Sequence, residues 1–238
     1  MIEYDGVNDT LQVNSTASIN NIATKTIGAW IYPITWGEVA GVSAGRIFDK
    51  RESVTGFFFG IDSSNRSLVF FHDFSTTDGT WKTATASMNT GQWFHVAVKY
   101  TRGSTANTPT FWINGSLQTT TTTTQPGGAV STDATANLLL GANTSATNTF
   151  RGYHSEYVFY SVGLDNAEVA LLASSVKGMP YQVRPSSLAM YLDTNDGVEG
   201  AVVSGANSVR DRSGNNNHGS PFPGKAPIRR AEQALSYP

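Results

Sequence analysis

Short apolar segments alternate with polar and glycine-containing clusters from residue 1 to about residue 162. The apolar segments are rich in Val, Ile, Phe, Tyr and Trp, which favour strands, and turn residues separate them about every ten positions. This pattern predicts strands at residues 26–33, 46–50, 56–62, 67–73, 81–86, 93–100, 110–114, 136–141 and 153–162. Evenly spaced short strands are typical of an all-β fold, here an antiparallel β-sandwich or jelly roll.

Strict alternation along residues 93–100 indicates an inner strand of that sandwich. Successive side chains of a strand point to opposite faces, so one face carries Phe94, Val96, Val98 and Tyr100. The other face carries Trp93, His95, Ala97 and Lys99. Because both sets contain large apolar side chains, we expect both faces of this strand to be at least partly covered.

Three local signals add detail to this outline. Asn114-Gly115 predicts a tight hairpin turn, because both residues tolerate positive φ. Asp165 with Glu168 forms a capping-box pattern, which predicts one short helix that ends before Gly178 and closes the sandwich. The threonine run 119–124 is interpreted either as a solvated edge strand or as a mobile loop.

The character of the chain changes after Gly178. Residues 179–187 read as a linker, Leu188–Leu192 as one apolar strand, and the remainder as turn-rich and polar. So few apolar positions cannot form an independent core. We therefore divide the chain into a jelly roll at 1–178 and a dependent tail at 179–238. We expect the tail strand to pair beside the N-terminal strand, in its own subunit or in a neighbouring one.

Composition narrows the classes of function. The 238 residues carry 14% charged side chains against about 25% in a typical domain, together with 28 Thr and 24 Ser. The absence of cysteine excludes disulfide scaffolds and thiolate zinc sites. A net charge of −2 with scattered basic residues argues against nucleic acid, and no apolar run approaches the about 18 residues of a membrane helix. The N-terminal residues do not resemble a signal peptide, so we expect none.

Several motifs occur in the order found in one known family. They are YDGVND at 4–9, AWIYP at 29–33, IFDK at 47–50, WFHVA at 93–97, WING at 112–115, LLG at 139–141, FRG at 150–152 and GLDNAEV at 163–169. Together they resemble the laminin-G-like jelly roll of the concanavalin A-like lectin and glucanase superfamily. The resemblance covers residues 4–176 and implies a lectin-like sandwich.

The tail modifies this resemblance. Leu188–Asp193 and the segment DRSGNNNHG at 211–219 resemble a region that normally precedes the first family strand, so the order looks circularly permuted. A laminin-G-like body with such a tail is similar to proteins encoded among bacteriophage virion genes. The resemblance thus implies a location on the virion surface, with an extracellular location as the alternative. The implied partners are other virion proteins, further copies of this chain or a cell-surface glycan.

A catalytic role finds no support in the sequence. Glycoside hydrolysis needs two carboxylates about 5–10 Å apart, and glucanases of the resembled superfamily place them in a Glu-x-Asp-x-x-Glu strand motif. None of the seven glutamates begins such a motif. The four histidines lack metal-ligand spacing, and no Gly-x-Ser-x-Gly elbow occurs. We therefore expect no catalytic residues and a protein that is not an enzyme.

A glycan site requires exposed aromatic rings beside hydrogen-bonding side chains. Trp36, in the loop after Pro33, and Trp81, after a polar turn, are the least constrained tryptophans. With His72 and Asp73 at a strand end they form a candidate glycan-binding patch. The alternative is that both tryptophans pack under loops.

Calcium is the one cofactor that the sequence suggests, because many members of the resembled family bind it through loop oxygens. The candidate ligands are Asp5, Asp9, Asp193, Asn195 and Asp211. The segment 193–197 resembles a calcium loop but lacks the later glutamate. Asx turns are the alternative interpretation and the favoured one.

Three functions follow in order of preference. The first is a non-catalytic structural or decoration protein on a bacteriophage particle, to which the tail attaches the domain. The second is a lectin-like carbohydrate-binding module, and the third is a glycoside hydrolase without a recognisable acid pair.

Overall fold

A computed structural model describes residues 1–36, 45–62, 64–84, 88–145, 147–174 and 179–231. Its strands, in chain order, are β1 (Ile2–Asp5), β2 (Leu11–Val13), β3 (Thr24–Pro33), β4 (Arg46–Glu52), β5 (Thr55–Asp62), β6 (Ser67–His72), β7 (Gly79–Thr83), β8 (Phe94–Thr101), β9 (Thr110–Ile113), β10 (Ser116–Gln118), β11 (Thr120–Thr124), β12 (Leu138–Leu140), β13 (Arg151–Tyr160), β14 (Leu188–Leu192), β15 (Gly219–Pro221) and β16 (Ile228–Arg229). The helical elements are α1 (Asn166–Leu172) and two short 3-10 turns, Met179–Tyr181 and Pro185–Ser187.

The strands form two eight-stranded antiparallel sheets. The first sheet has the order β10-β9-β8-β3-β13-β1-β16, and β14 also pairs with β13. The second sheet has the order β11-β7-β6-β5-β4-β12-β2-β15. The two sheets pack face to face around one large apolar core, so the predicted all-β sandwich is confirmed. Among the described residues, no helix has the length and apolar character needed to cross a membrane.

The core follows the alternation of the inner strands. On β8 the side chains of Phe94, Val96, Val98 and Tyr100 all enter the large cluster between the sheets. On its opposite face Ala97 packs in one smaller cluster, and Trp93, directly before the strand, packs in another. The expectation that both faces of this strand are covered is therefore confirmed.

Two lysines lie inside the sandwich. Lys50 donates hydrogen bonds from Nζ to Asn20 Oδ1 (2.8 Å) and to the carbonyls of Asp133 (3.0 Å) and Ala136 (2.6 Å). Lys25 is 1% exposed, and its Nζ has no hydrogen-bond partner within the described structure. That ammonium lies 4.5 Å from the ring centre of Phe57, so it has a cation–π contact in place of a hydrogen bond.

The predicted local signals are found in the structure. Asn114 and Gly115 have φ of 49° and 74° and join β9 to β10, as a type I′ hairpin requires. Asp165 and Glu168 form the predicted capping box of α1, which ends at Leu172, while Gly178 lies outside the described residues. The threonine run is an exposed edge strand, β11, paired with β7.

The tail strand joins the first sheet of its own chain. β14 pairs with residues 157–160 of β13, and β1 pairs with residues 151–154 of the same strand. Since β3 occupies the opposite edge of β13, β1 and β14 lie end to end along the remaining edge. The expectation that β14 pairs beside β1 is thus corrected, because it continues the line of β1. The boundary at residue 178 stays a prediction.

Candidate functional site

Most of the candidate glycan-binding patch is not exposed at the protein surface. Trp81 and His72 are fully buried, because the alternation of β6 and β7 turns both side chains toward the core. Gly79 makes room for the indole, since a Cβ there would lie 2.2 Å from a Trp81 ring carbon. Burial and the nearby Lys25 lower the pKa of His72 to about 3. These two side chains therefore cannot stack on or bond an external ligand, which corrects the prediction for both.

The other two residues of that patch, Trp36 and Asp73, lie in different environments. Trp36 is half-buried and packs against the main core. Asp73 is 0% exposed and accepts two hydrogen bonds from Arg51, at 2.7 Å from Nε and 2.7 Å from Nη2. Asp73 thus acts beneath the surface, by holding an arginine that is partly exposed.

The candidate calcium ligands of the N-terminal loop build a turn. Asp5 Oδ1 accepts hydrogen bonds from the backbone N–H groups of Val7 (2.8 Å) and Asn8 (3.2 Å). Asp9 Oδ2 accepts one from the N–H of Asp5 (2.9 Å). Burial, reinforced by the charges of Asp5 and Glu3, raises the pKa of Asp9 to about 6. This geometry matches the Asx-turn interpretation of these residues.

The remaining candidates hold the tail in place. Asp211 accepts hydrogen bonds from Tyr191 N, Ser213 N and Oγ, and Asn217 N, all between 2.8 and 2.9 Å. Asp193 Oδ1 accepts a bond from Asn195 N at 3.1 Å. Within the described ranges, no three acidic, histidine or cysteine side chains group as a metal site would require.

A different surface carries the candidate site, the outer face of the second sheet. Residues paired across neighbouring antiparallel strands point to the same side. One such row crosses β12, β4, β5 and β6 and contains Leu139, Asp49, Phe58 and Phe71. The rings of Phe58 and Phe71 stack at 5.0 Å with an interplanar angle of 6°. This row forms an aromatic floor with a carboxylate at one end.

Two arginines of β4 lie over this floor. The guanidinium of Arg46 is 3.3 Å from the ring centre of Phe58, and that of Arg51 is 4.7 Å from the ring centre of Phe71. Arg46 Nε donates to Asp49 Oδ2 at 2.8 Å. Burial raises the pKa of Asp49, and the charge and hydrogen bond of Arg46 oppose that rise. Each arginine is thus fixed by a carboxylate and a ring.

Both arginines and Asp49 line a polar pocket of about 230 Å³, which we call the arginine pocket. Its walls come from β4, the β4–β5 turn and the loop after β12: Arg46, Asp49, Arg51, Ser53, Asn143, Thr144 and Ser145. Asp49 is the one carboxylate among these lining residues, whereas glycoside hydrolysis uses two. The arrangement can bind a polar ligand through fixed donors and acceptors.

A second polar pocket of about 230 Å³ lies on the same sheet toward the threonine edge. Its lining residues are Lys82 and Thr83 of β7, Ser67 at the start of β6, Asn65 of the β5–β6 turn, and Thr121 and Thr123 of β11. Lys82 Nζ donates to the buried Asp62 at 2.6 Å. Burial alone would raise the pKa of Asp62, but hydrogen bonds from Lys82 and Ser64 lower it. This pocket has one cation and no stacked rings among its described lining residues.

Sequence reasoning missed the arginine pocket for a structural reason. Arg46 and Asp49 are three residues apart, a spacing that places side chains on opposite faces of a regular strand. A register shift between Arg46 and Phe48 returns both polar side chains to the outer face. The other wall comes from residues 143–145, far away in sequence. The available signal was the charge of β4 itself, because five of its seven residues, Arg46 and Asp49–Glu52, are charged.

The sequence matches the model of a known protein family. A laminin-G model described as concanavalin A-like lectin/glucanases superfamily matches residues 5–170. The fold is similar to that of a candidate carbohydrate-binding protein from Bacteroides ovatus ATCC 8483, with 15% identity and a TM-score of 0.63. That alignment covers 98% of this chain and 60% of the other, so this chain spans about three fifths of that protein's length.

Weaker similarities extend to two further structures. One is a heptameric SAP-like pentraxin from Limulus polyphemus, with 14% identity, a TM-score of 0.44 and coverage of 71% of this chain and 83% of that chain. The other is botulinum neurotoxin type C, whose cell entry depends on two ganglioside molecules, with 17% identity, a TM-score of 0.47 and coverage of 69% and 39%. Among curated proteins, none matches the sequence. Because the family model covers more than half of the chain, the protein belongs to the concanavalin A-like lectin/glucanase superfamily.

Proposed function

We propose that the protein is a non-catalytic, lectin-like carbohydrate-binding module that binds glycan in the arginine pocket. One observation carries this proposal: ion pairs and stacked rings hold the charged side chains of an open polar pocket in fixed positions. Preorganised donors and acceptors suit sugar hydroxyls, because little side-chain freedom is lost on binding. Membership of a superfamily that includes lectins supports the same reading.

The size and lining of the pocket support a sugar over an apolar ligand. Its volume of about 230 Å³ is below the about 300–1,000 Å³ of sites for drug-sized molecules, so it suits one sugar unit of a longer chain. Ser53, Thr144 and Ser145 add hydroxyl groups, and Asn143 adds an amide. These groups can both donate and accept hydrogen bonds, as sugar hydroxyls do.

A blocking variant tests the proposal. Ser145 is exposed at the pocket wall, so Ser145→Trp fills the pocket without disturbing the core, and Ser145→Ala is the matched control. On a broad glycan array, we expect the wild type and Ser145→Ala to bind the same glycans and Ser145→Trp to lose them. Arg210→Gln, an exposed change outside the pocket lining, should bind like the wild type. Absence of wild-type binding, or equal binding by Ser145→Trp, would refute the proposal.

We further propose that the module works on a bacteriophage virion, with other virion proteins, further copies of this chain or a cell-surface glycan as partners. This proposal rests on the tail motif of the sequence. The described part of the tail packs on its own sandwich through β14, β15 and β16, so an attachment would use side chains of the tail that these pairings leave exposed. Mass spectrometry of purified particles tests it. Detection of the chain in particles supports a virion location, and its detection only in free secreted protein supports the extracellular alternative.

A further inference from the structure

The charged groups of the arginine pocket are unequally exposed. The side chain of Arg51 is 29% exposed, whereas that of Asp49 is 3% exposed and that of Asp73 is 0% exposed. Asp73 therefore lies below Arg51, whereas Arg46, with 4% of its side chain exposed, is buried together with Asp49. A ligand entering the pocket meets a guanidinium first, although the chain as a whole has a net charge of −2.

Arg51 keeps donors for a ligand. Its two hydrogen bonds to Asp73 use one N–H of Nε and one of Nη2, which leaves three of the about five guanidinium N–H groups without a described partner. Hydrogen bonding to Asp73 also raises the pKa of Arg51, so the guanidinium stays protonated. The Phe71 ring and the bidentate pair fix the plane of the guanidinium before any ligand arrives.

Besides Arg46 and Arg51, a third cation, Lys225, contacts a residue of the pocket wall. Lys225 Nζ donates to the carbonyl of Thr144, a lining residue, at 3.4 Å. Lys225 is half-buried and also lies 5.0 Å from the ring centre of Phe222. Two cations that are partly exposed therefore flank a pocket whose one carboxylate is recessed.

We propose that the arginine pocket selects acidic glycans, with Arg51 binding the carboxylate of a uronic-acid-type sugar or a sulfate group. The proposal rests on the proposed glycan-binding function and names the class of its ligand. Guanidinium groups match planar oxyanions, and charge-assisted hydrogen bonds are about twice as strong as neutral ones. An acidic group would use the N–H donors that Asp73 leaves free, whereas a neutral sugar would use only the weaker polar contacts.

Matched pairs of glycans test the selectivity. Binding of oligogalacturonate is compared by calorimetry with binding of its methyl ester, which has the same backbone without the charge. A sulfated galactan and its desulfated form give the second arm, which separates carboxylate from sulfate recognition. We expect the acidic member of at least one pair to bind about tenfold more tightly at low salt, because one charge-assisted bond is worth about 1.5 kcal/mol. That preference should shrink as salt screens the charges.

The decisive variant is the double change Arg51→Gln/Asp73→Asn, which keeps a hydrogen-bonded buried pair and removes the cation. We expect it to fold and to lose the preference for the acidic member. Equal binding of both members by the wild type, blocked by Ser145→Trp, would overturn the acidic selectivity and leave glycan binding intact. Retention of the acidic preference by the folded double variant would likewise overturn the role of Arg51. Absence of wild-type binding to these pairs and to the broad array would instead defeat the underlying function.

Discussion

Replacing Lys25 by Met is expected to stabilise the protein at pH 7. Burial lowers the pKa of this lysine from 10.5 to about 8, and the charges of Arg102 and Lys50 add to that effect while Asp133 opposes it. This lowering of the pKa corresponds to about 3 kcal/mol of unfavourable free energy for the buried ammonium. Loss of the cation–π contact with Phe57 offsets about 1 kcal/mol. We therefore expect Lys25→Met to raise the free energy of unfolding by about 2 kcal/mol.

The pH dependence provides an independent check of the same reasoning. The folded pKa lies below the unfolded one, so the unfolded chain binds more protons between about pH 8 and pH 10.5, and stability rises with pH in that window. Above about pH 10 the tyrosines reverse the trend, because burial raises the pKa of Tyr100 to about 12. The usable window is therefore pH 8 to 10. Lys50, whose pKa burial also lowers to about 8, contributes a part of the rise that Lys25→Met leaves in place.

Urea unfolding at pH 7 and at pH 9.5 measures both effects. The gain from Lys25→Met should be largest at pH 7 and smaller at pH 9.5. Lys99→Met is the matched control, because Lys99 is half-buried on the other face of β8, 5.6 Å from the ring centre of Trp112, and should change stability little. Destabilisation of Lys25→Met at pH 7, or a gain that does not depend on pH, would refute the account of an unpaired buried ammonium.

Three further predictions concern the site and the tail. Arg51→Ala leaves the buried carboxylate of Asp73 unpaired and should lower the free energy of unfolding in urea by about 2 kcal/mol, a loss that Arg51→Ala/Asp73→Ala should largely recover. An unchanged free energy of unfolding for Arg51→Ala would contradict this. Asp211→Ala removes four hydrogen bonds around β14 and should lower the free energy of unfolding by about 2–3 kcal/mol. Amide hydrogen exchange should rise first in Leu188–Leu192, and unchanged protection there would contradict the role of Asp211 in holding β14. The melting temperature should be the same in millimolar calcium as in a chelator, because the carboxylates of the candidate ligands already accept hydrogen bonds within turns. An increase of several degrees in calcium would support the calcium interpretation instead.

Much of the fold could be predicted because its strands and its helix follow patterns set by residues close together in sequence. Alternation located the inner strand β8, and the Asp165–Glu168 capping box located the start of α1 within one turn. These signals depend on neighbours in sequence, which pattern analysis reads directly. The partner of β14 could not be read in this way, because strand pairing over long sequence separations depends on which edge of the sheet remains free.

The site was less predictable because tertiary context decided exposure. Trp81 follows a polar turn, which favoured an exposed side chain, yet Gly79 opens a space for the indole inside the sandwich. Conversely, the spacing of Arg46 and Asp49 places their side chains on opposite faces of a regular strand, and only the register shift of β4 brings them to the same face. An irregularity of one residue thus reverses which side chains a ligand can reach.

The shared edge of β13 has a consequence for how the chain acquires its structure. Residues 2–5 and 188–192 occupy adjacent stretches of that single edge, so the sheet stays incomplete until the tail strand has been synthesised. Pairings over such distances close slowly, because the entropy of a very long loop is lost before the contacts form. A nascent chain that has not yet reached β14 exposes half of an apolar strand edge, a known template for aggregation. Rapid completion of translation, or a chaperone that covers this edge, should therefore govern the yield of folded protein.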